Sequence, residues 1–310
     1  MAQKIKINNT DLEVSRINLG GNVFGWTLDE KQSFEILDSY FNAGFNFIDT
    51  ADVYGKDGAS EIIIGNWLKA KRKRSDFVIA TKVGLGKNGQ PNNISKKYIL
   101  NSVDESLQRL QTDYIDLYYT HVDDNITPVE ETLSAYDELI RAAKVRYIAA
   151  SNISPERLTQ SFEIAEKNGL PGYVALQPHY NLIERTVYET AYFPLVEKYG
   201  LTVFPYFSLA SGFLTGKYRT EADLNKSLRG DMTIKYLNEK GLAILNVLDG
   251  IAAKHSTKQA TVALAWLLAQ PNIGAPIVSA TSQTQLETLF AAPHLQLDKE
   301  DLELLDKVSR

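Results

Sequence analysis

Short apolar runs alternate with amphipathic stretches along nearly the whole chain. Ile17-Asn18-Leu19 ends at Gly20-Gly21, Phe45-Asn46-Phe47-Ile48 at Asp49, Phe77-Val78-Ile79-Ala80-Thr81 at Lys82, and the run 114–120 at His121. The runs 145–150, which ends at Ser151-Asn152, 173–177, 201–206 and 276–279 complete the set. Each is short and rich in β-branched and aromatic residues, as strands buried on both faces are. Helical period marks 29–43, 59–73, 95–110, 128–142, 155–168, 257–269 and 282–291 between them. Asp29 is placed to cap the first of these helices and Gly44 to stop it. Eight β-then-α units, with crossovers long enough for right-handed connections, predict a (β/α)8 TIM barrel. One such barrel accounts for residues 1–310 as a single domain, and no Pro/Gly/Ser-rich linker divides it. The segments 4–7 and 13–14, around Asn8-Asn9-Thr10-Asp11, predict an N-terminal β-hairpin ahead of the barrel. One long irregular stretch is expected at 217–240, containing RTEADLNKSLRGDM. A loop of that length is functional or mobile, and Arg229 is the side chain in it best suited to meet an anion.

Composition narrows the field. The 310 residues are 44% hydrophobic, enough for a large core, and carry a formal net charge of −5. That balance offers no footprint for nucleic acid. No run reaches the roughly 18 apolar residues of a membrane span, and no basic-then-apolar leader opens the chain. The expectation is therefore a cytoplasmic protein that binds neither membrane nor nucleic acid; its oligomeric state is not readable. With no cysteine, thiolate catalysis, disulfides and zinc–thiolate sites are excluded. The four histidines, His121, His179, His255 and His294, include no close pair for a helical metal site, so no metal is expected. The basic segment 69–74 reads as the solvated end of a helix, where cations complement the dipole.

In parallel sheets of this kind chemistry gathers at the carboxyl ends of the strands. Those ends deliver Asp49, Lys82 and His121, and Tyr54 follows Asp49 by five residues. Taken singly, each has a plain reading: a helix cap, a packed phenol, a solvated amine. Together they form a proton-transfer device. A free tyrosine titrates near pH 10 and becomes a usable acid or base when a nearby cation stabilises its phenolate. Lys82 supplies that charge, Asp49 holds Lys82, and His121 orients a substrate oxygen.

DTADVYG, ATK, DLYYTH, ASN, LQPHYN and SLASGFLTGKY occur in that order at successive strand ends, between Gly20 and about Ala292. In these motifs the chain resembles the aldo-keto reductase superfamily. The resemblance implies the (β/α)8 fold and an enzyme that reduces an aldehyde, ketone or sugar carbonyl to an alcohol. The implied cofactor is NADP(H) ahead of NAD(H). The catalytic set implied is Asp49, Tyr54, Lys82 and His121. Ser151, Asn152 and Gln177 are implied to bind the nicotinamide carboxamide, with Tyr206 stacked on its ring; Gln177 also reads as a buried strand-end amide and Tyr206 as a core aromatic. Ser208, Leu209, Ser211, Gly212, Leu214 and Lys217 are implied to wrap the pyrophosphate, Gly21 and Asn22 to lie beside the cofactor, and Ala280, Thr281, Ser282 and Gln285 to hold its adenosine end. Trp26 and Val122 are the substrate-wall candidates beside Tyr54 and His121, and Trp26 reads equally as a loop anchor. His179 is positioned in sequence to approach the same mouth.

The chain departs from the family pattern in two places. Phe207-Ser208 stands where Ser-Pro is frequent. Gln285 replaces a frequent Arg, and Leu289 a frequent Asn, so the usual clamp on a 2′-phosphate is missing and only a modest preference for NADP(H) is expected. Two other classes compete with the reductase. A cofactor-binding sensor or interaction subunit, related to the β subunits of potassium channels, would keep the fold with little turnover; the short segment ahead of the hairpin argues for the enzyme. An isomerase or aldolase on the same barrel would use Lys82 as a Schiff-base nucleophile.

Overall fold

The computed structural model describes residues 2–71, 73–87 and 89–310. A hairpin of β1 (Lys4–Lys6) and β2 (Glu13–Ser15) precedes eight parallel strands. These are β3 (Asn18–Gly20), β4 (Phe47–Asp49), β5 (Val78–Val83), β6 (Ile115–Thr120), β7 (Val145–Ser151), β8 (Ala175–Gln177), β9 (Thr202–Val203) and β10 (Ile277–Val278). Their order is sequential, with β10 beside β3. The open ends meet where the Ile277 amide donates to the Pro205 carbonyl at 2.9 Å and the Gly274 amide to the Val203 carbonyl at 2.8 Å. The sheet is thus curled into the predicted barrel.

Six helices cover its outside after the first six strands: α1 (Glu30–Asn42), α2 (Ala59–Lys71), α3 (Lys96–Leu110), α4 (Val129–Arg141), α5 (Pro155–Asn168) and α6 (Phe193–Tyr199). After β9 come α7 (Glu239–Lys254) and α8 (Gln259–Ala269), then α9 (Gln283–Ala291) follows β10 and α10 (Lys299–Ser309) packs on α7. The start of α1 is set as its sequence predicts. Asp29 accepts from the Gln32 amide at 2.8 Å, and the Gln32 side chain accepts from the Asp29 amide at 3.1 Å. The chain turns away at Gly44, whose φ of +89° disfavours a side chain.

Period two along the strands decides what reaches the cavity. Phe47, Val78, Ala80, Leu117, Tyr119, Ala149 and Ala175 fill the barrel interior. One pleat further on, the same inward rows reach Asp49, Lys82, His121, Ser151 and Gln177. The interior is therefore apolar below and polar at its carboxyl end. The hairpin closes the other end: Ile7, Leu12 and Val14 are buried among those interior residues, each contributing about 1.5–3 kcal/mol of burial.

Three expectations are corrected. The strand expected at 201–206 is short, because Pro205 has no amide to donate and the pairing resumes only as an isolated bridge between His179 and Tyr206. The stretch 217–240 is not irregular but folds into two 3-10 segments, Glu221–Lys226 and Gly230–Tyr236. Tyr218 and Tyr236 anchor it in the core, and Tyr236 donates to Glu184 at 2.9 Å. Of the basic segment 69–74, Arg72 lies outside the described residues, and Arg74 is not a solvated helix end. It pairs with Asp116 at 2.7 Å and lies 4.2 Å over the Tyr114 ring.

Candidate active site

A cleft of about 960 Å³ opens at the carboxyl ends of the strands, the upper end of the range for small-molecule sites. A shallower depression at the amino end, around Asp11, Arg146 and Tyr147, is lined by groups that pair with one another, Arg146 with Asp11 at 2.8 Å among them. Thr27 Oγ1, His121 Nδ1 and Arg229 Nη2, buried atoms without a hydrogen-bond partner among the described residues, belong to side chains that line the carboxyl-end cleft.

The Lys82 ammonium is its electrostatic centre. It is fully buried, donates to a carboxylate oxygen of Asp49 and to the Thr50 carbonyl at 2.6 Å, and reaches the Tyr54 hydroxyl at 3.4 Å. It also lies 4.7 Å over the Tyr54 ring. The other Asp49 oxygen accepts from Gln177 Nε2 at 2.9 Å. Asp49 is thus fixed from two strands. Burial opposes the Lys82 charge, but the Asp49 carboxylate and the Tyr54 phenol outweigh it, and the lysine pKa is raised. Burial pushes Asp49 up, with Lys82 and Gln177 pulling against it. Burial also pushes the Tyr54 phenol up, and Lys82 offsets this only in part. The expectation that Lys82 brings the phenol down thus holds for its pull but not for the sum, and Tyr54 rests as the protonated acid.

Tyr54 is held by a tight turn. Its amide donates to the Ala51 carbonyl at 3.1 Å and its carbonyl accepts from the Ser60 amide at 3.1 Å. Gly55 follows at φ +70°, where a Cβ would stand 2.9 Å from the Ala59 Cβ. Across the cleft, His121 meets the Tyr54 ring edge-on at 5.9 Å between centroids. Its Nδ1 is buried and has no partner among the described residues. Burial and the Lys82 charge drive the imidazole pKa down to about 3, so His121 is neutral at working pH and keeps one N–H to donate.

The remaining sites expected from the sequence divide into two groups. Asn22, Asp49, Tyr54, His121, Ser151, Asn152, Gln177, Tyr206, Ser208, Leu209, Ser211, Gly212, Lys217, Thr281 and Gln285 line the cleft. Gly21, Trp26, Lys82, Val122, Leu214, Ala280 and Ser282 do not form its wall. The Leu214 and Ala280 side chains are buried in the core. Gly21 is packed against Ser60, whose hydroxyl donates to its carbonyl at 2.8 Å. Trp26 is half exposed on the rim. Ser282 caps α9 through the Gln285 amide.

Asn152 joins three elements. Its Nδ2 donates to the His121 carbonyl at 2.9 Å and to Ser151 Oγ at 3.1 Å, while its Oδ1 accepts from the Tyr206 hydroxyl at 2.9 Å. His179 stacks on Tyr206 at 5.3 Å and 15° but is not itself part of the cleft wall. The segment after β9 carries a run of left-handed backbone at Ala210, Ser211 and Gly212, with φ of +48°, +57° and +98°. Left-handed non-glycine residues cost about 1–2 kcal/mol each, and such strain concentrates at ligand clamps. At the far end, the Gln285 side chain folds back to accept from the Thr281 amide at 2.8 Å.

Sequence reasoning missed Lys258. It precedes α8 and lines the cleft, and α8 packs against α9, the helix that carries Gln285. Thr261 ties the two helices by donating to the Thr288 carbonyl at 2.9 Å. Only the spatial neighbourhood of α8 and α9 reveals this cation, since the two stretches are separated in sequence. Among the described residues no helix is long and apolar enough to cross a membrane.

The model of the aldo/keto reductase family matches residues 16–310, and the chain belongs to that family. Family membership supports an NAD(P)-dependent oxidoreductase acting on small carbonyl compounds. The chain is 36% identical to the uncharacterized oxidoreductase YrpG of Bacillus subtilis (strain 168), over 97% of this chain and 94% of that protein. It is 35% identical to a probable voltage-gated potassium channel subunit beta of Oryza sativa subsp. japonica, over 90% of this chain and 88% of that one. With the probable aldo-keto reductase 1 of Glycine max the identity is 32%, over 97% and 87%.

Proposed function

We propose that this chain reduces the carbonyl group of an aldehyde, ketone or sugar to an alcohol at the expense of NAD(P)H, with Tyr54 as the proton donor. The observation that carries the reading is the buried Lys82 ammonium between the Asp49 carboxylate and the Tyr54 hydroxyl. Carbonyl reduction needs a hydride on carbon and a proton on the developing alkoxide. The hydride is the contribution of a bound reduced nicotinamide. Tyr54, protonated at rest, gives its proton to the oxygen, and Lys82 stabilises the phenolate left behind. Asp49 keeps Lys82 charged and aimed. Neutral His121 donates its N–H to the same oxygen and fixes the carbonyl face. Lys82 is thereby engaged on three sides, which disfavours its use as a Schiff-base nucleophile.

The cleft suits the cofactor in its polar groups. Ser151, Asn152 and Gln177 would hold the carboxamide and Tyr206 the ring, backed by His179. The left-handed turn at 210–212 brings Ser211 and Gly212 to the cleft wall, where the Ser211 hydroxyl and the absence of bulky side chains would suit a pyrophosphate, and Lys217 adds charge. Asn22, Thr281 and Gln285 would meet the remainder. Our reading puts NADP(H) ahead of NAD(H) by a modest margin, with Lys258 as the cation nearest the adenosine end.

Tyr54→Phe tests the assignment. The ring stays and the acid goes, so kcat is expected to fall at least about a hundredfold, the scale of acid–base catalysis, with the cofactor Kd unchanged. Near-normal turnover would remove Tyr54 from the role. A second reading is favoured by the rice relative, whose description is a potassium-channel β subunit. In that case the chain binds cofactor but turns over extremely slowly on every member of an aldehyde panel. Cofactor oxidation measured across that panel separates the two.

A further inference from the structure

Tyr119 is a buried phenol with no part in the proton transfer assigned to Tyr54. It stands on the inward row of β6, one pleat below His121, and is fully buried in the barrel interior. Its register partner on β5 is Lys82, whose ammonium lies 5.9 Å from the centroid of the phenol ring. On the other side Tyr119 is level with Ala149 of β7, and Ala149 with Ala175 of β8. Two methyl side chains at that level leave room for a phenol to extend toward the next pleat, where Ser151 and Gln177 are paired.

The Tyr119 hydroxyl closes no hydrogen bond among the described residues. Burial pushes its pKa well up and the Asp49 carboxylate adds to this, while the Gln177 amide pulls the other way. The phenol is therefore protonated, and Asp49 and Gln177 are the polar groups that act on it. A buried hydroxyl without a partner is destabilising, and phenylalanine would fill the same space without that cost. Such a group beside a site calls for an explanation.

Gln177 supplies one. Its Nε2 donates to Asp49 at 2.9 Å, and an amide nitrogen carries a second N–H. One hydrogen bond fixes which end of the amide points inward but leaves its plane free to turn about that bond. A second polar neighbour fixes the plane. Gln177 also lines the cleft, so with its nitrogen held inward Oε1 is the atom it presents there.

We infer that Tyr119 is a positioning residue for Gln177: its hydroxyl stands by the second N–H, fixes the plane of the amide, and so aims Oε1 into the cleft as an acceptor for an amide N–H of the ligand. This rests on the reading of the cleft as a nicotinamide site and gives the polarity with which the carboxamide is read. The consequence is selectivity for a primary carboxamide over a group of the same shape without N–H donors.

Titration of NADP+ and of its 3-acetylpyridine analogue, in which a methyl group replaces the amide nitrogen, tests this without turnover. The native protein should bind NADP+ at least about tenfold tighter than the analogue, a difference of about 1.4 kcal/mol. Tyr119→Phe should cut that ratio at least about threefold, by weakening NADP+ and not the analogue. Its urea midpoint should equal or exceed the native one, since the hydroxyl has no partner to lose. A native ratio in the variant overturns the inference. So does an equal loss of affinity for both ligands, which would make Tyr119 a packing residue only. Equal binding of the two ligands to the native protein also overturns it, because Oε1 then reads no N–H, while the nicotinamide site itself stands. Failure of the native protein to bind either ligand would refute the nicotinamide reading, and the inference with it, before any variant is made.

Discussion

Replacing Lys82 by methionine keeps most of the side-chain volume and removes the ammonium. Asp49 then keeps only the Gln177 hydrogen bond at 2.9 Å and is a buried carboxylate without a cation. Breaking one side of a buried ion pair costs about 3–5 kcal/mol, and here the cost has a pH signature. In the native protein burial already pushes Asp49 up, and Lys82 is the main opposing influence. Without Lys82 the folded pKa climbs further above the unfolded value of about 3.9. A carboxyl group raised in this way binds more protons in the folded than in the unfolded state. Its stability is fully present below the unfolded pKa and is lost as pH rises toward the folded one. The deficit of Lys82→Met relative to the native protein should therefore widen from pH 5 to pH 7, by up to about 1.4 kcal/mol per pH unit until Asp49 is ionised. Urea unfolding followed by circular dichroism at pH 5, 6 and 7 measures it, and adding Asp49→Asn should flatten the pH dependence. A deficit equal at pH 5 and pH 7 would refute the argument, because Asp49 would then not be the group left unpaired. In turnover, Lys82→Met acts on the same step as Tyr54→Phe. The double variant should be no worse than the poorer single one; a much larger loss would show that the two do not work as a unit.

For the cofactor, the native preference for NADP(H) over NAD(H) should stay under about a hundredfold, or about 2.8 kcal/mol, with Gln285→Arg tightening NADPH alone and Lys258→Met weakening it alone. Fluorescence titrations read both, and a native preference of several thousandfold would overturn the premise. For the segment after the 210–212 turn, trypsin should cut at Lys226 or Arg229, around the exposed Leu228, more slowly when NADPH is saturating; identical rates would leave the segment without a closing role. For Asp52, burial raises the pKa to about 6 against the opposing pull of Lys87, whose ammonium lies 3.0 Å away. The native protein accordingly loses stability as pH rises between about 4 and 6, by about 3 kcal/mol for a shift of some two units. Asp52→Asn should remove that loss, so its advantage in urea midpoint grows from pH 4.5 to pH 7; an advantage that does not change with pH would show that Asp52 is ionised throughout.

Strand ends were readable because period two and the terminal polar residue are both local features. The inward row 78, 80, 82 delivers Lys82 to the cavity whatever surrounds it, and the same holds for 117, 119, 121 and His121. Helix ends were readable wherever a cap was written into the chain, as at Asp29 and Gly44. Less was legible where the outcome depends on neighbours distant in sequence. Nothing near Arg74 announces that Asp116 will collect it, and nothing near Lys258 names α9 as its neighbour. The stretch 217–240 read as irregular because its polar residues have no periodic apolar partner; its order comes from Tyr218 and Tyr236, which are buried against the rest of the fold. The sign of the Tyr54 shift was likewise out of reach, since a sequence names the cation beside a phenol but not the depth at which both are buried.

The hairpin that stoppers the amino end of the barrel has a consequence for how the chain is made. It is synthesised well before the strands it closes, for the Asn8 amide bonds Thr202 and the Asn8 side chain the Gly200 carbonyl, partners 194 and 192 residues away. At translation rates of about 5–20 residues per second, roughly 10 to 40 s pass between the synthesis of Asn8 and that of Thr202. Ile7, Leu12 and Val14 spend that interval without the lumen that will bury them, so the hairpin has to wait for the barrel it closes.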